Sequence, residues 1–123
     1  MSRAVKKILI VDDSPTERFV LTQILAGGGF DILTAESAEE GISRAKQLQP
    51  DLILMDVVMP GTNGFQAART LARDVATRDI PVILCTTKSQ ASDKVWGMRQ
   101  GALDYLTKPV DGSMLLAKIA TLG

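Results

Sequence analysis

Five short apolar runs punctuate the chain, at Lys6–Val11, Phe30–Ala35, Asp51–Asp56, Ile80–Thr86 and Asp104–Thr107. The runs KKILIV and DLILMD are continuous rather than alternating, as strands covered on both faces should be. Each run is followed by a segment with helix signals. The first begins at Ser14 as N-cap, with Pro15 at the first helical position and Glu17 completing a capping box. Phe19, Val20, Ile24 and Leu25 give it an apolar stripe, and Gly27-Gly28-Gly29 stops it. Helices are likewise expected over Ser37–Leu48, where Ser37 and Glu40 make a second capping box, and from about Asn63 to Asp74. The last two are Ser89–Gln100 and Asp111–Leu122. Five β-α units with short connections predict an α/β fold, a doubly wound parallel sheet with helices on both faces. The flavodoxin-like (βα)5 arrangement has strand order 2-1-3-4-5.

Composition narrows the function. The 123 residues suit a single domain, and the last helix leaves no room for an output domain. Lys+Arg and Asp+Glu number 14 each, so no net positive charge favours nucleic acid. The single cysteine, Cys85, excludes an intrachain disulfide and favours a reducing, cytoplasmic setting. No apolar run is long enough for a signal-peptide core or a membrane span. The absence of histidine removes the commonest general base and metal ligand.

The polar residues collect where the runs end. In open parallel sheets ligands bind beyond the carboxyl ends of the strands, at the point where strand order reverses. For order 2-1-3-4-5 that point lies between the first and third strands. Asp12 and Asp13 close the first strand and Asp56 the third, while Thr86 closes the fourth and Lys108 follows the fifth. Two unit charges about 4 Å apart repel by about 4 kcal/mol at an effective dielectric near 20, so three carboxylates need a cation. Lys108 offers one charge, and a hard divalent ion such as Mg²⁺ offers two. An aspartate in that setting can act as nucleophile toward a phosphoryl group.

Four motifs in this order resemble the receiver domain of bacterial two-component response regulators. They are IVDD at 10–13, LMDVVMPGTNG at 54–64, the Thr86-Thr87 pair after an apolar strand, and YLTKP at 105–109, which carries both the aromatic and the lysine positions. The resemblance covers almost the whole chain and implies a role for each matching residue. Asp56 takes a phosphoryl group from a histidine kinase or its phosphotransfer domain. Asp12, Asp13, Asp56 and the backbone carbonyl of Val58 hold Mg²⁺. Lys108 contacts the phosphoryl group, and its bond to Pro109 is cis. Thr86 and Tyr105 form the switch that shifts the face made by the fourth helix, fifth strand and fifth helix. Val58 and Lys88 border the incoming water and tune how long the phosphate lasts. The segment Thr86–Asp111 is similar to the small stand-alone regulators of the type IV pilus chemotaxis-like system, which act in twitching motility. Such a protein is a switch rather than an enzyme, acting through a partner or as a phosphate sink, as a monomer or weak dimer.

Simpler readings exist for each residue. Acids at a helix N-terminus can be capping groups, which would serve Asp12 and Asp13. Asp56 can be a turn residue, Lys108 a solvated lysine, Thr86 an ordinary strand end and Tyr105 a core aromatic. Trp96, Phe19 and Phe65 read as packing residues, with partner recognition the alternative for Trp96. Cys85 and Met55 read as core, and Met59 stays open. A competing function is an aspartate-nucleophile phosphatase for small molecules. Such enzymes pair nucleophile and acid within a DxD motif and add a cap, whereas Asp56 lies far from Asp13 and the loops are short. The intact set of acids, threonine and lysine also argues against a binding module that takes no phosphate.

Overall fold

The computed structural model describes residues 4–87 and 91–122. The strands are β1 (Lys7–Val11), β2 (Asp31–Ala35), β3 (Leu52–Met55), β4 (Val82–Thr86) and β5 (Asp104–Thr107). The helices are α1 (Pro15–Ala26), α2 (Ala38–Leu48), α3 (Gly64–Arg73), α4 (Ala91–Arg99) and α5 (Gly112–Ala120). All strand pairs are parallel, in the order β2-β1-β3-β4-β5. This is the α/β flavodoxin-like arrangement that the alternation of runs predicts.

Successive strand residues point to opposite faces, so each continuous apolar run feeds two cores. Leu9, Val11, Ile53, Met55 and Leu84 pack with α2, α3 and Tyr105 on one face. Ile8, Ile10, Leu52, Leu54, Ile83 and Cys85 pack with Leu21, Leu25, Leu115 and Ile119 of α1 and α5 on the other. Burial pushes the Cys85 thiol up to about 12, so it stays protonated and inert. Met55 and Met59 are both buried.

Several local expectations change. Ser14 accepts from the Glu17 N–H at 3.3 Å, but Asp12 Oδ1 accepts the Ser14 N–H at 2.9 Å, so Glu17 is released from the capping box. Ser37 likewise caps α2 through the Glu40 N–H, while the Glu40 carboxylate pairs with Arg44 at 3.3 Å. Among the described residues a reciprocal box forms at α3, between Asn63 and Gln66. In α1 the buried residues are Leu21 and Leu25, and Phe19 is 64% exposed. Phe19 stands two positions before Leu21, about 200° round the helix. Phe65, by contrast, is buried.

Trp96 and Val95 also face outward. The buried residue of α4 is Gly97, where an added Cβ would lie 2.8 Å from Leu84 and 3.1 Å from Tyr105. The helix sits so close to the sheet because that position has no side chain. The helix start expected at Ser89 lies outside the described residues, as does Lys88.

Candidate functional site

Strand register brings the acids together. Val11 pairs with Met55, and the next residues, Asp12 and Asp56, leave neighbouring strands side by side. The Asp56 N–H continues the ladder to the Val11 carbonyl at 2.9 Å, and the Asp12 N–H to Ala35 at 3.1 Å. Both side chains stay largely out of water, with Asp12 1% and Asp56 7% exposed, whereas Asp13 is exposed. One carboxylate oxygen from each of Asp12, Asp13 and Asp56 lies within 4.8 Å of the others. A cluster of hard oxygen donors at that spacing fits a small divalent cation such as Mg²⁺.

Lys108 is the counter-charge. Its backbone N–H bonds to the Thr86 carbonyl at 2.8 Å, extending the pairing of Thr86 with Thr107. Its Nζ donates to Asp12 Oδ2 at 2.6 Å and stands 3.7 Å from Asp56 Oδ1 and 3.8 Å from Glu17 Oε2. Burial opposes the ammonium charge, but the bond to Asp12 and the charges of Asp12, Asp56 and Glu17 outweigh it and raise its pKa. The Lys108–Pro109 peptide is cis. Thr86 is fully buried at the end of β4, and Tyr105 is buried beneath Gly97. Burial first, then the charges of Asp93 and Asp56, pushes the Tyr105 phenol up to about 12, so it remains a neutral hydroxyl.

Asp56 is pulled in both directions. Burial raises its pKa most, Lys108 lowers it, Asp12 raises it, and the Val58 and Val57 N–H groups favour the anion. The net shift is upward, so the folded chain holds the Asp56 proton more tightly than the unfolded chain. The stability from that proton is complete below the ordinary aspartate value and is lost as pH rises through the raised one. At pH 7 in chelator, Asp56→Asn should therefore be more stable than the parent by about 1 kcal/mol, roughly 4 °C in Tm. Thermal melts at pH 7 and pH 4 check this. The gain should shrink at pH 4, and a loss at pH 7 would mean the carboxylate is structurally required.

Three participants carry no clear signal in the sequence. Arg18 donates to the Asp12 carbonyl at 2.7 Å and pairs with Glu36 at 3.3 Å, holding the strand exit from behind. Glu17 reads as a helix cap but shares Lys108. Glu39 is held below the usual carboxylate range chiefly by a hydrogen bond from Thr62, and so ties α2 to the loop after β3. Val58 is exposed on that loop.

The sequence profile of the response regulator receiver domain matches residues 8–120. The chain belongs to the response regulator receiver family. The receiver is 58% identical to Protein PilH of Pseudomonas aeruginosa over 113 residues, 92% of this chain and 93% of that protein. It is 40% identical to the phosphate regulon transcriptional regulatory protein PhoB of the same organism, over 93% of this chain and 50% of that longer one. Among solved structures, the Vibrio cholerae chemotaxis protein CheY4 superposes with a TM-score of 0.89 at 28% identity, covering 98% of this chain and all of that one. A response regulator from Chloroflexus aurantiacus gives 0.91 at 30% identity, over 96% of this chain and 97% of that one. Among the described residues no helix is long and apolar enough to cross a membrane.

Proposed function

We propose that this receiver is a phosphorylation switch whose acceptor is Asp56. The observation that carries this is the buried Asp56 carboxylate, 3.7 Å from Lys108 and clustered with Asp12 and Asp13, in a chain of the receiver family. An Asp56 oxygen attacks the phosphorus of a partner's phosphohistidine. The O–P bond forms as the P–N bond breaks, and the imidazole leaves with its electron pair and takes up a proton. Lys108, already beside Asp56 Oδ1, meets a negative oxygen of the arriving group and is drawn from Asp12 toward it. Asp12, Asp13, Asp56 and the Val58 carbonyl would hold Mg²⁺. When bound, Mg²⁺ supplies charge neutralisation at the phosphoryl oxygens.

Thr86 reports the change. Its hydroxyl turns toward the new phosphoryl oxygens, and Tyr105 settles into the space behind it. The helix above them, α4, buries only Gly97 among its described residues, so it is lightly held and free to shift. Val58 presents no hydrogen-bonding side chain to an incoming water, and with Lys88 it sets the phosphate's lifetime. The switched face made by α4, β5 and α5 controls a protein partner. Likeness to PilH supports a role in type IV pilus twitching motility, with service as a phosphate sink for the same kinase the alternative. We assign the chain to the cytoplasm.

Exposed Phe19, one helical turn beyond Pro15, is an apolar contact point for the phosphodonor next to the site. Mixing the chain with a phosphorylated histidine phosphotransfer domain tests both points. Asp56→Asn should block transfer. Phe19→Ala should slow transfer about tenfold, the scale of one well-buried interface side chain, and leave acetyl phosphate uptake unchanged. Equal slowing with both donors would place Phe19 in the fold rather than the interface.

A further inference from the structure

Away from the carboxylates, three arginines line one cleft. Arg69 and Arg73 stand one turn apart on α3, and Arg99 closes α4, with Ala72, Gln100 and Gly101 between them. In a parallel sheet the crossover helices run opposite to the strands, so the ends of α3 and α4 lie at the far edge of the sheet from Asp56. The cleft measures about 380 Å³, within the range of about 300–1,000 Å³ typical of small-ligand sites.

What sets this cleft apart is clustering: among the described residues Lys6, Lys7, Arg78 and Lys94 also make no ion pair, but here three such cations line one surface. Elsewhere Arg18, Arg44, Lys46, Lys108 and Lys118 each meet a carboxylate. Among the described residues, none of Arg69, Arg73 and Arg99 makes an ion pair. Complementing a helix C-terminus accounts for Arg73 and Arg99 singly, but Arg69 lies before the last turn of α3. Gly101, at φ 101°, brings the two helix ends together, because a Cβ there would lie 2.8 Å from that of Ala72. The Gln100 and Gly101 N–H groups bond within their own turn, to Trp96 and Met98. The donors left for a ligand are therefore the Gln100 side-chain amide and the guanidinium forks, whose geometry matches phosphate oxygens in pairs.

We propose that this cleft binds a soluble, phosphate-bearing small molecule, with Arg69 and Arg73 on one side of the phosphate and Arg99 on the other. Such a ligand bridges α3 to α4, and α4 is the helix with least burial. Its binding restrains α4 from the edge of the sheet remote from Asp56.

Inorganic pyrophosphate is the probe, titrated in chelator into the ¹⁵N-labelled full chain against sodium chloride of equal ionic strength. The Gln100 and Gly101 amides should shift saturably with pyrophosphate and not with chloride, and α4 amides should exchange more slowly with solvent. Arg69→Gln and Arg99→Gln, both exposed positions, should each weaken binding about tenfold, the scale of one charge-assisted hydrogen bond. Three outcomes overturn the proposal. One is shifts that follow ionic strength alone. Another is binding that both variants retain. The third is retention on phosphatidic acid vesicles with no response to pyrophosphate.

Discussion

Lys108→Ala should cost about 3 kcal/mol of folding stability in chelator, the scale for removing one partner of a buried ion pair. The Lys108 side chain is 7% exposed and that of Asp12 is 2%. Without the ammonium, Asp12 and Asp56 are left as adjacent buried anions, with Ser14 and the Val57 and Val58 N–H groups as the remaining donors. The raised pKa of Lys108 means that its contribution is complete across neutral pH and is lost only as pH rises through that raised value. Urea unfolding at pH 7 measures the difference. Added Mg²⁺ should recover more stability in the variant than in the parent, because the variant's acids lack any other cation. A cost near 0.5 kcal/mol would place the pair among ordinary surface salt bridges.

Gly64→Ala should be nearly as damaging, by a different route. A Cβ at Gly64 would overlap the Asp56 carbonyl oxygen and stand 2.8 Å from the Val57 Cα, and backbone cannot turn away as a side chain can. The Gly64 N–H also bonds to the Val57 carbonyl at 2.9 Å, so α3 and the exit of β3 must move together. The expected cost is about 3 kcal/mol, the upper end for overpacking, with phosphoryl uptake lost because the displaced peptide carries Asp56, the proposed acceptor. Gly61→Ala is the control. Its φ of 78° makes alanine strained, but its nearest contact is Glu39 at 3.8 Å, so about 1 kcal/mol should be lost and uptake kept. Unchanged uptake in Gly64→Ala would show that the loop after Asp56 can relax without disturbing the acceptor.

The residues that form the site were legible because parallel strands share a register. Once the continuous runs ending at Val11 and Met55 are recognised, pairing alone places Asp12 beside Asp56. The same holds for Thr86, which pairs with Thr107 and so meets Lys108. Side-chain direction was less legible. The α1 positions 19, 20, 24 and 25 make as good an apolar stripe on paper as 21 and 25. The bond from Ser14 to Asp12 and the seating of Leu21 decide which face turns inward. Trp96 misleads for a related reason, since the contact that orients α4 is a glycine and carries no hydrophobic signal. Gly64 reads as a turn former in the sequence. Its closeness to the Asp56 carbonyl depends on how α3 folds back, which no local pattern encodes. Arg18 is silent because its partner is a backbone carbonyl.

The acceptor role of Asp56 is tested most directly by intact mass after incubation with acetyl phosphate and Mg²⁺. The parent should gain the mass of one phosphoryl group. The gain should vanish in Asp56→Asn and in chelator, with both proteins shown to be folded by circular dichroism. A folded parent that gains nothing from acetyl phosphate or from a phosphorylated histidine domain, or an Asp56→Asn variant that gains as much as the parent, would contradict it.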